Sequence, residues 1–448
     1  MDTRLGFLDT ETVRAQAREF APDIIGLSSL IIEAGRMHTH AAALREDFPG
    51  VPIVAGGPYA SASPERVLRD PAVTCAIPGE GEQTLAALAE CVDAGRDFAD
   101  LPGLVFAQNG GVRRNAPRPY IEDLDTMPFP DWDAVDLPAY ALTRRFCSRR
   151  PAPYMPVFSS RSCPYNCIYC HNIFGKSFRS RSAGNVFEEI RTVHDRYGIR
   201  QFEIIDDCFN LDRIRALDVC ERISNSGMKL QLMFPNGLRA DRLDHDLLVA
   251  LRAAGTVMIC VAIESASPRL QKYMRKNLDL ARAREVIRDI TRLGIFCQGF
   301  FMLGFPTETE QEMRDTIRYA CRSRLHTASF FAVKPVPGTE LHSRVYGPDS
   351  AFSEDEFKVY GYHNVNCKCS TLSPDKFRAL FVLAFYRFYL NPLRAIRVFT
   401  RFPDRAFLLK GFAHLFTRLN LPLRGHAAHS PAYERRAGES ENDGRRSW

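Results

Sequence analysis

Three cysteines stand close together in the run Cys163-Pro164-Tyr165-Asn166-Cys167-Ile168-Tyr169-Cys170, separated by three and then two residues. Thiolates are the usual ligands of iron–sulfur clusters, which ordinarily take four of them. A compact group of three suits three irons of a 4Fe-4S cubane and leaves the fourth iron open to a small molecule. Two other readings share these residues. A zinc site wants a fourth thiolate or imidazole at short spacing, and His171 offers one. Three buried thiols without a ligand are the plainer alternative. Thirteen cysteines in 448 residues are odd in number and scattered, which fits a reducing compartment rather than a disulfide scaffold.

Such a loop needs a rigid frame, and the flanking sequence supplies the pattern of one. Short apolar runs alternate with amphipathic helical stretches, giving expected strands at 155–160, 202–206, 230–235, 257–264, 296–303 and 327–334, and a helix over 281–293. Repeating strand–helix units of this kind close into barrels whose chemistry sits at the carboxyl ends of the strands. The polar motifs fall there. The cysteine run follows the first strand, Asp206-Asp207 the second, Asn236-Gly237-Leu238-Arg239 the third, Glu264-Ser265 the fourth, Gly304-Phe305-Pro306 the fifth and Pro335-Val336-Pro337-Gly338-Thr339 the sixth. An acidic pair or a Gly-x-Pro alone is more often a cap or a turn. Six motifs in register with one edge point to a shared site.

The N-terminal part repeats the logic. Expected strands at 24–29, 51–55 and 73–77 each end in small or glycine-rich turns: Ser28-Ser29, Gly56-Gly57-Pro58 and Gly79-Glu80-Gly81-Glu82. In doubly wound parallel sheets that edge binds ligands, because backbone approaches closely and helix N-termini offer N–H donors. A hairpin follows, 103–106 and 112–115, turned through Asn109-Gly110-Gly111.

The cysteine run, with Tyr169 before its third cysteine, resembles the radical S-adenosylmethionine (SAM) enzymes. That resemblance implies that Cys163, Cys167 and Cys170 ligate the cluster and that Tyr169 lies beside the SAM adenine. It places Asp206 and Asp207 at the amino group, Asn236, Glu264 and Ser265 near the ribose or carboxylate, and the backbone from Met302 through Gly304 to Phe305 beside the adenine. The ordered set Pro22 to Ser29, Gly56 to Ala60 and Gly79 to Glu82 is similar to the cobalamin-binding domain that precedes many radical SAM modules. There Ser28, Ser29, Gly56, Gly57, Gly79 and Glu80 would line the corrin face. The chain lacks Asp-x-His-x-x-Gly, so the resemblance implies cobalamin bound without a histidine on cobalt. The resemblance covers roughly residues 22–346. It implies a 4Fe-4S cluster, SAM and cobalamin as cofactors. The implied activity is generation of a 5'-deoxyadenosyl radical and methylation of an unactivated carbon in a small-molecule substrate such as a lipid, tetrapyrrole or natural product. An oxidative cyclase like that of anaerobic bacteriochlorophyll synthesis shares the domain order and is the alternative. A non-catalytic SAM- or corrinoid-binding protein is the alternative of another class.

The expected fold class is α/β. Residues 1–115 form a doubly wound Rossmann-like cobalamin-binding domain lacking its first strand, and 116–154 a proline-rich linker. Residues 155–346 form a partial (β/α)6 radical SAM barrel, 347–424 a helical basic region and 425–448 a disordered tail. From Ser373 to Arg424 ten Lys or Arg stand against two acids, Asp375 and Asp404, interleaved with aromatics. Such helices pack on the barrel with solvated arginines, or lie on an anionic membrane surface. The net charge of +6 is small for this length and, without an RNA-binding motif, gives no ground for nucleic acid. Cys367-Lys368-Cys369 reads as free thiols rather than a second cluster. No secretory segment opens the chain, so a cytoplasmic enzyme, membrane-associated through its basic helices and reduced by a flavodoxin or ferredoxin, is expected.

Overall fold

The computed structural model describes residues 9–137, 153–347 and 369–401. Residues 1–8, the prolines Pro138 and Pro151, the thiol Cys367, and everything after Arg401 lie outside them. The helix Thr10–Phe20 leads into a sheet whose first three strands, β1 (Ile25–Ser28), β2 (Ile53–Gly56) and β3 (Cys75–Ala76), are parallel and adjacent in that order. Register runs Ile25 to Ile53 and Ser28 to Gly56, so the small residues end level at one edge. The hairpin β4 (Val105–Gln108) and β5 (Gly111–Arg114) adds to β3 antiparallel. Its turn residues Asn109 and Gly110 both have positive φ, 49° and 77°, as a tight two-residue hairpin demands. Among the described residues β1 has no outer neighbour.

The second sheet carries β6 (Tyr154–Val157), then the short pair β7 (Ser160–Arg161) and β8 (Arg179–Ser180), which stand apart. It continues with β9 (Gln201–Ile204), β10 (Gln231–Leu238), β11 (Thr256–Glu264), β12 (Phe296–Leu303) and β13 (Thr327–Ala332). The order β13-β12-β11-β10-β9-β6 is all parallel and sequential, which is the six-strand arc expected of a partial barrel. The intervening helices begin at side-chain caps: Ser182, Asp212, Asp244, Asp279 and Thr309 each accept a backbone N–H of the first turn. Such caps satisfy donors that have no intrahelical partner and are worth about 1 kcal/mol each. One apolar core unites the arc and its helices, with Phe202, Phe234, Ile259, Ile287 and Phe301 at its centre.

The helix Pro374–Tyr389 packs on this arc, burying Phe377, Leu380, Phe381, Ala384 and Phe388. Tyr389 Oη both donates to Ala328 O (2.8 Å) and accepts from Ala328 N–H (3.2 Å). In the following helix, Pro392–Arg401, the buried Arg394 donates to the carbonyls of Leu325 and Cys321 (2.8 and 2.7 Å) and lies 3.6 Å over the Phe388 ring. The packed-helix reading therefore holds for the first of these helices, whereas the second leaves Leu393, Ile396 and Phe399 exposed.

Candidate active site

The cysteine loop follows β6 and β7 at the carboxyl edge of the barrel. Tyr165 inside the run holds it in place. The Arg239 guanidinium lies 3.7 Å over its ring, Arg242 Nε donates to its hydroxyl (3.1 Å) and Lys176 Nζ to its carbonyl (2.9 Å). Cation–π contact of this kind adds about 0.5–2 kcal/mol. The Cys208 thiol donates to Cys163, and this bond is the leading cause of a Cys163 pKa drawn down to about 6. Cys170 is exposed as a residue, yet protein packed around its sulfur, with the charges of Cys167, Asp207 and Cys163, raises its thiol to about 12. Burial also raises Cys167, while Lys276 opposes it. The three sulfurs thus feel one another's charge, with Lys276, Lys176 and Arg239 nearby to offset it.

This donor set fits a cubane, which spreads three thiolates over three irons and carries net negative charge that the basic groups offset. The imidazole that a zinc site would need as its fourth ligand is engaged elsewhere, with His171 Nε2 3.4 Å from Asp207 Oδ1.

Around the loop the backbone is strained. Ser162, Glu264, Arg275 and Asn277 all have positive φ (73°, 64°, 56° and 49°), a conformation that costs non-glycine residues about 1–3 kcal/mol and gathers at functional sites. Here it turns Glu264 toward the mouth. Glu264 Oε1 lies 3.3 Å from Lys276 Nζ and 3.4 Å from Tyr169 Oη, and Lys276 Nζ is 3.4 Å from that same hydroxyl. Tyr169, Glu264 and Lys276 form one polar cluster beside Cys167. Asp207 is half-buried at the same mouth, and exposed Asn236 donates to Ile205 O (2.5 Å).

Other candidates are engaged by bonds or packing within the protein. Asp206 is buried, accepting from Ser159 N–H, Ser159 Oγ and Ser160 Oγ, all at 2.6 Å. Burial raises its pKa against the pull of Arg215 and these bonds. It braces the turn between β6 and β7, and three of its roughly four acceptor sites are taken by those serines. Ser265 is fully buried, its Oγ 3.3 Å from Thr316 Oγ1. Met302 is half-buried against the apolar cluster under Tyr169. The Gly304 and Phe305 N–H groups donate to buried Glu308 (2.6 and 3.1 Å), and the Cys369 thiol donates to Gly304 O (3.3 Å). The Cys369 thiol also lies 3.6 Å from Val333 O.

On the N-terminal sheet Ser28 is exposed at the edge, and Gly57, with φ 77°, leaves room there. A Cβ at Gly57 would come within 2.4 Å of Ser28 Oγ. Gly79 N–H donates to Ser61 Oγ (2.9 Å). Ser28, Gly56, Gly57, Ser61 and Gly79 make a shelf clear of bulky side chains, which fits a broad corrin. Ser29 is buried, its Oγ 3.4 Å from Met37 Sδ. Glu80 departs from the expectation that it lines the corrin face. Its Oε2 accepts the Ile121 N–H (2.8 Å), while Oε1 lies 3.0 Å from Arg161 Nη1 and 2.7 Å from Arg179 Nη1. Those arginines belong to β7 and β8, so Glu80 ties the N-terminal sheet to that short strand pair.

The shelf and the cysteine loop adjoin. A Cβ on Gly79 would meet Ile173 O at 3.6 Å, and one on Gly338, in the loop after β13, would meet Ala62 Cβ at 3.2 Å. Reading the sequence missed Lys276, Ser61, Tyr165 as an anchor, and Cys208. Apart from Tyr165, which lies inside the cysteine run, none of them belongs to a motif, and only folding brings them to the site.

A parallel sheet with glycine turns facing the three-cysteine mouth of a partial barrel defines a two-cofactor enzyme class, and comparison with known proteins agrees. Residues 157–320 match the Radical SAM superfamily and residues 4–89 the B12 binding domain. The chain carries a radical SAM domain and a B12-binding domain. It is a methyltransferase-like, cobalamin-dependent radical SAM enzyme, with a 4Fe-4S cluster, SAM and cobalamin as its cofactors. It is 29% identical over 396 residues to an uncharacterized methyltransferase of Pyrococcus horikoshii, covering 88% of this chain and 84% of that protein. It is 28% identical over 376 residues to the cytidylyl-2-hydroxyethylphosphonate methyltransferase of Streptomyces wedmorensis, covering 75% and 69%. The fold is similar to the radical SAM methyltransferase TsrM of Kitasatospora setae, with a TM-score of 0.64 at 18% identity, covering 85% of this chain and 75% of that one. It is also similar to the cobalamin-dependent radical enzyme OxsB, with a TM-score of 0.70 at 16% identity, covering 94% and 66%.

Proposed function

We propose that this enzyme methylates an unactivated carbon of a small molecule held between the glycine shelf and the barrel mouth. The observation that carries the reading is the abutment of the two edges, Gly79 against Ile173 and Gly338 against Ala62. It brings a shelf-bound corrin to the cysteine loop without a moving domain. When bound, the cluster supplies the electron that cleaves SAM, and cobalamin supplies the methyl group. The protein positions and excludes. Cys163, Cys167 and Cys170 hold three irons, Arg239 and Arg242 keep the loop rigid through Tyr165, and the Glu264–Lys276–Tyr169 cluster offers both charges to a zwitterionic amino acid. Relatives named as methyltransferases support methylation. A cyclase of Cereibacter sphaeroides is 24% identical and matches over 60% of its own length. A low-potential flavodoxin or ferredoxin serves as electron donor, and the basic C-terminal helices meet an anionic membrane.

Anaerobic reconstitution with iron, sulfide and hydroxocobalamin tests this reading. About four irons and one cobalt per chain are expected, with 5'-deoxyadenosine and S-adenosylhomocysteine formed under reduction. Cys163→Ala, Cys167→Ala and Cys170→Ala should each abolish iron binding and turnover. A full cluster without retained cobalt refutes the methyl-transfer reading, and a mass gain other than one CH2 unit refutes methylation.

A further inference from the structure

At the end of the barrel remote from the cysteine loop lies a cavity of about 380 Å³, lined by Thr291, Arg324, His326, Arg397, Thr400 and Arg401. It opens at the amino edge of the sheet, where β12 begins at Phe296 and β13 at Thr327. Leu393 and Ile396 form its rim. Three guanidinium groups share the space, and among the described residues no ion pair joins Arg324, Arg397 or Arg401 to a carboxylate. Arg397 Nη1 is sealed from solvent without a hydrogen-bond partner. Burial, together with the charge of Arg324, lowers the Arg397 pKa. Arg324 and Arg401 are exposed at its open side and Arg397 is half-buried; like charges gathered around one concavity repel one another, and an anion among them relieves both the repulsion and the missing bond at Arg397.

The other polar groups narrow the choice of anion. His326 Nδ1 accepts the Cys297 N–H (3.0 Å), and its ring stacks on Phe296 at 4.7 Å. Burial and the neighbouring Arg397 and Arg401 hold its pKa near 4. The ring is therefore neutral, with its proton on Nε2, and serves as a further donor. The Thr291 and Thr400 hydroxyls already donate to Arg288 O and Arg397 O. Recognition thus falls to forked guanidinium groups, whose geometry suits phosphate oxygens. Next to the cavity the chain exposes Leu390 (64%), Leu393 (71%), Ile396 (61%) and Phe399 (46%). An apolar strip of this kind beside cationic groups is how an interfacial helix meets lipid.

We propose that this cavity seats the phosphate of an anionic phospholipid headgroup, with Leu390, Leu393, Ile396 and Phe399 turned toward the acyl boundary. The lipid as source rests on the membrane contact proposed above, and the phosphate seat rests on the cavity itself.

The test is flotation of reconstituted full-length enzyme with vesicles of phosphatidylglycerol and phosphatidylcholine or of phosphatidylcholine alone. Calorimetric titration with inorganic phosphate runs beside it at matched ionic strength. Wild type should float with the anionic vesicles only and should bind phosphate. Arg397→Gln/Arg401→Gln should lose both, with vesicle affinity down roughly 30-fold for two charges. Leu393→Ser/Ile396→Ser, a surface change that leaves the fold intact, should weaken flotation and keep phosphate binding. Equal flotation of wild type and the arginine variant overturns the seat. Phosphate binding without flotation overturns the lipid source. Iron and cobalt are measured on the same preparations, so failure of the enzyme reading is distinguished from failure of this one.

Discussion

Replacing Glu80 by Ala separates two roles for one residue, a wall of the corrin shelf or a tie between sheets. Its side chain is 5% exposed and faces Arg161 (14% exposed) and Arg179 (4% exposed). Removing one partner of a buried ion pair costs about 3–5 kcal/mol, because the remaining charge is left uncompensated. Here the residual charges keep other partners. Arg161 still meets Glu82 at 2.6 Å, and Arg179 still donates to Ile121 O (2.7 Å) and Phe174 O (3.1 Å). The expected loss is therefore smaller, about 2–3 kcal/mol. In thermal unfolding followed by calorimetry, that loss lowers the first transition by roughly 4–10 °C. Burial alone would raise the Glu80 pKa, but the Ile121 N–H and the two arginines outweigh it and hold it below the ordinary carboxyl range. The tie is thus fully present above the unfolded-state pKa and is lost as pH falls through the folded-state value. The gap between wild type and variant should narrow in acid. A Glu80→Ala protein that melts within about 1 °C of wild type while losing cobalamin refutes the structural tie and restores the corrin role.

Three further outcomes follow from the same geometry. Gly57→Ala meets Ser28 Oγ at 2.4 Å in a positive-φ conformation; cobalt retention should fall sharply with iron content unchanged, and normal cobalt uptake would disprove the shelf. Lys276→Met leaves Glu264 without its cation and should weaken SAM binding roughly tenfold, the effect of about 1.4 kcal/mol, as read from the SAM-induced change in the cluster's EPR signal, with iron retained. Burial opposes ionisation of Glu312, yet bonds from Arg269, Ser267 and Thr309 bring its pKa down to about 2. Its stabilisation, at most about 3 kcal/mol, is present above the ordinary carboxyl range and disappears as pH falls toward 2. Wild type minus Glu312→Gln stability, measured by urea unfolding, should shrink over that window.

Much of this protein was legible in its sequence because the evidence was local. The cysteine spacing declares three ligands whatever surrounds them. Period-two and period-3.6 apolar patterns foretold β12 over the observed residues and the other barrel strands to within a few positions, since burial on both faces of a parallel sheet leaves long apolar runs. Asn109-Gly110 foretold the hairpin because few other residues adopt its turn. What the motifs do was not equally legible, because a side chain's direction depends on partners far along the chain. Asp206 and Asp207 are neighbours in sequence, but the first turns inward to Ser159 and Ser160 while the second reaches the mouth beside His171. Glu80 lies in a glycine turn that reads as a ligand contact, and only the arrival of Arg161 and Arg179 from the β7–β8 pair makes it a tie. Lys276 carries no motif and reaches Glu264 only through the strained turn from Arg275 to Asn277. The ligands and the strands were written in short-range pattern, while the pairing of charges across elements was decided by tertiary structure, where burial makes an unpaired charge costly.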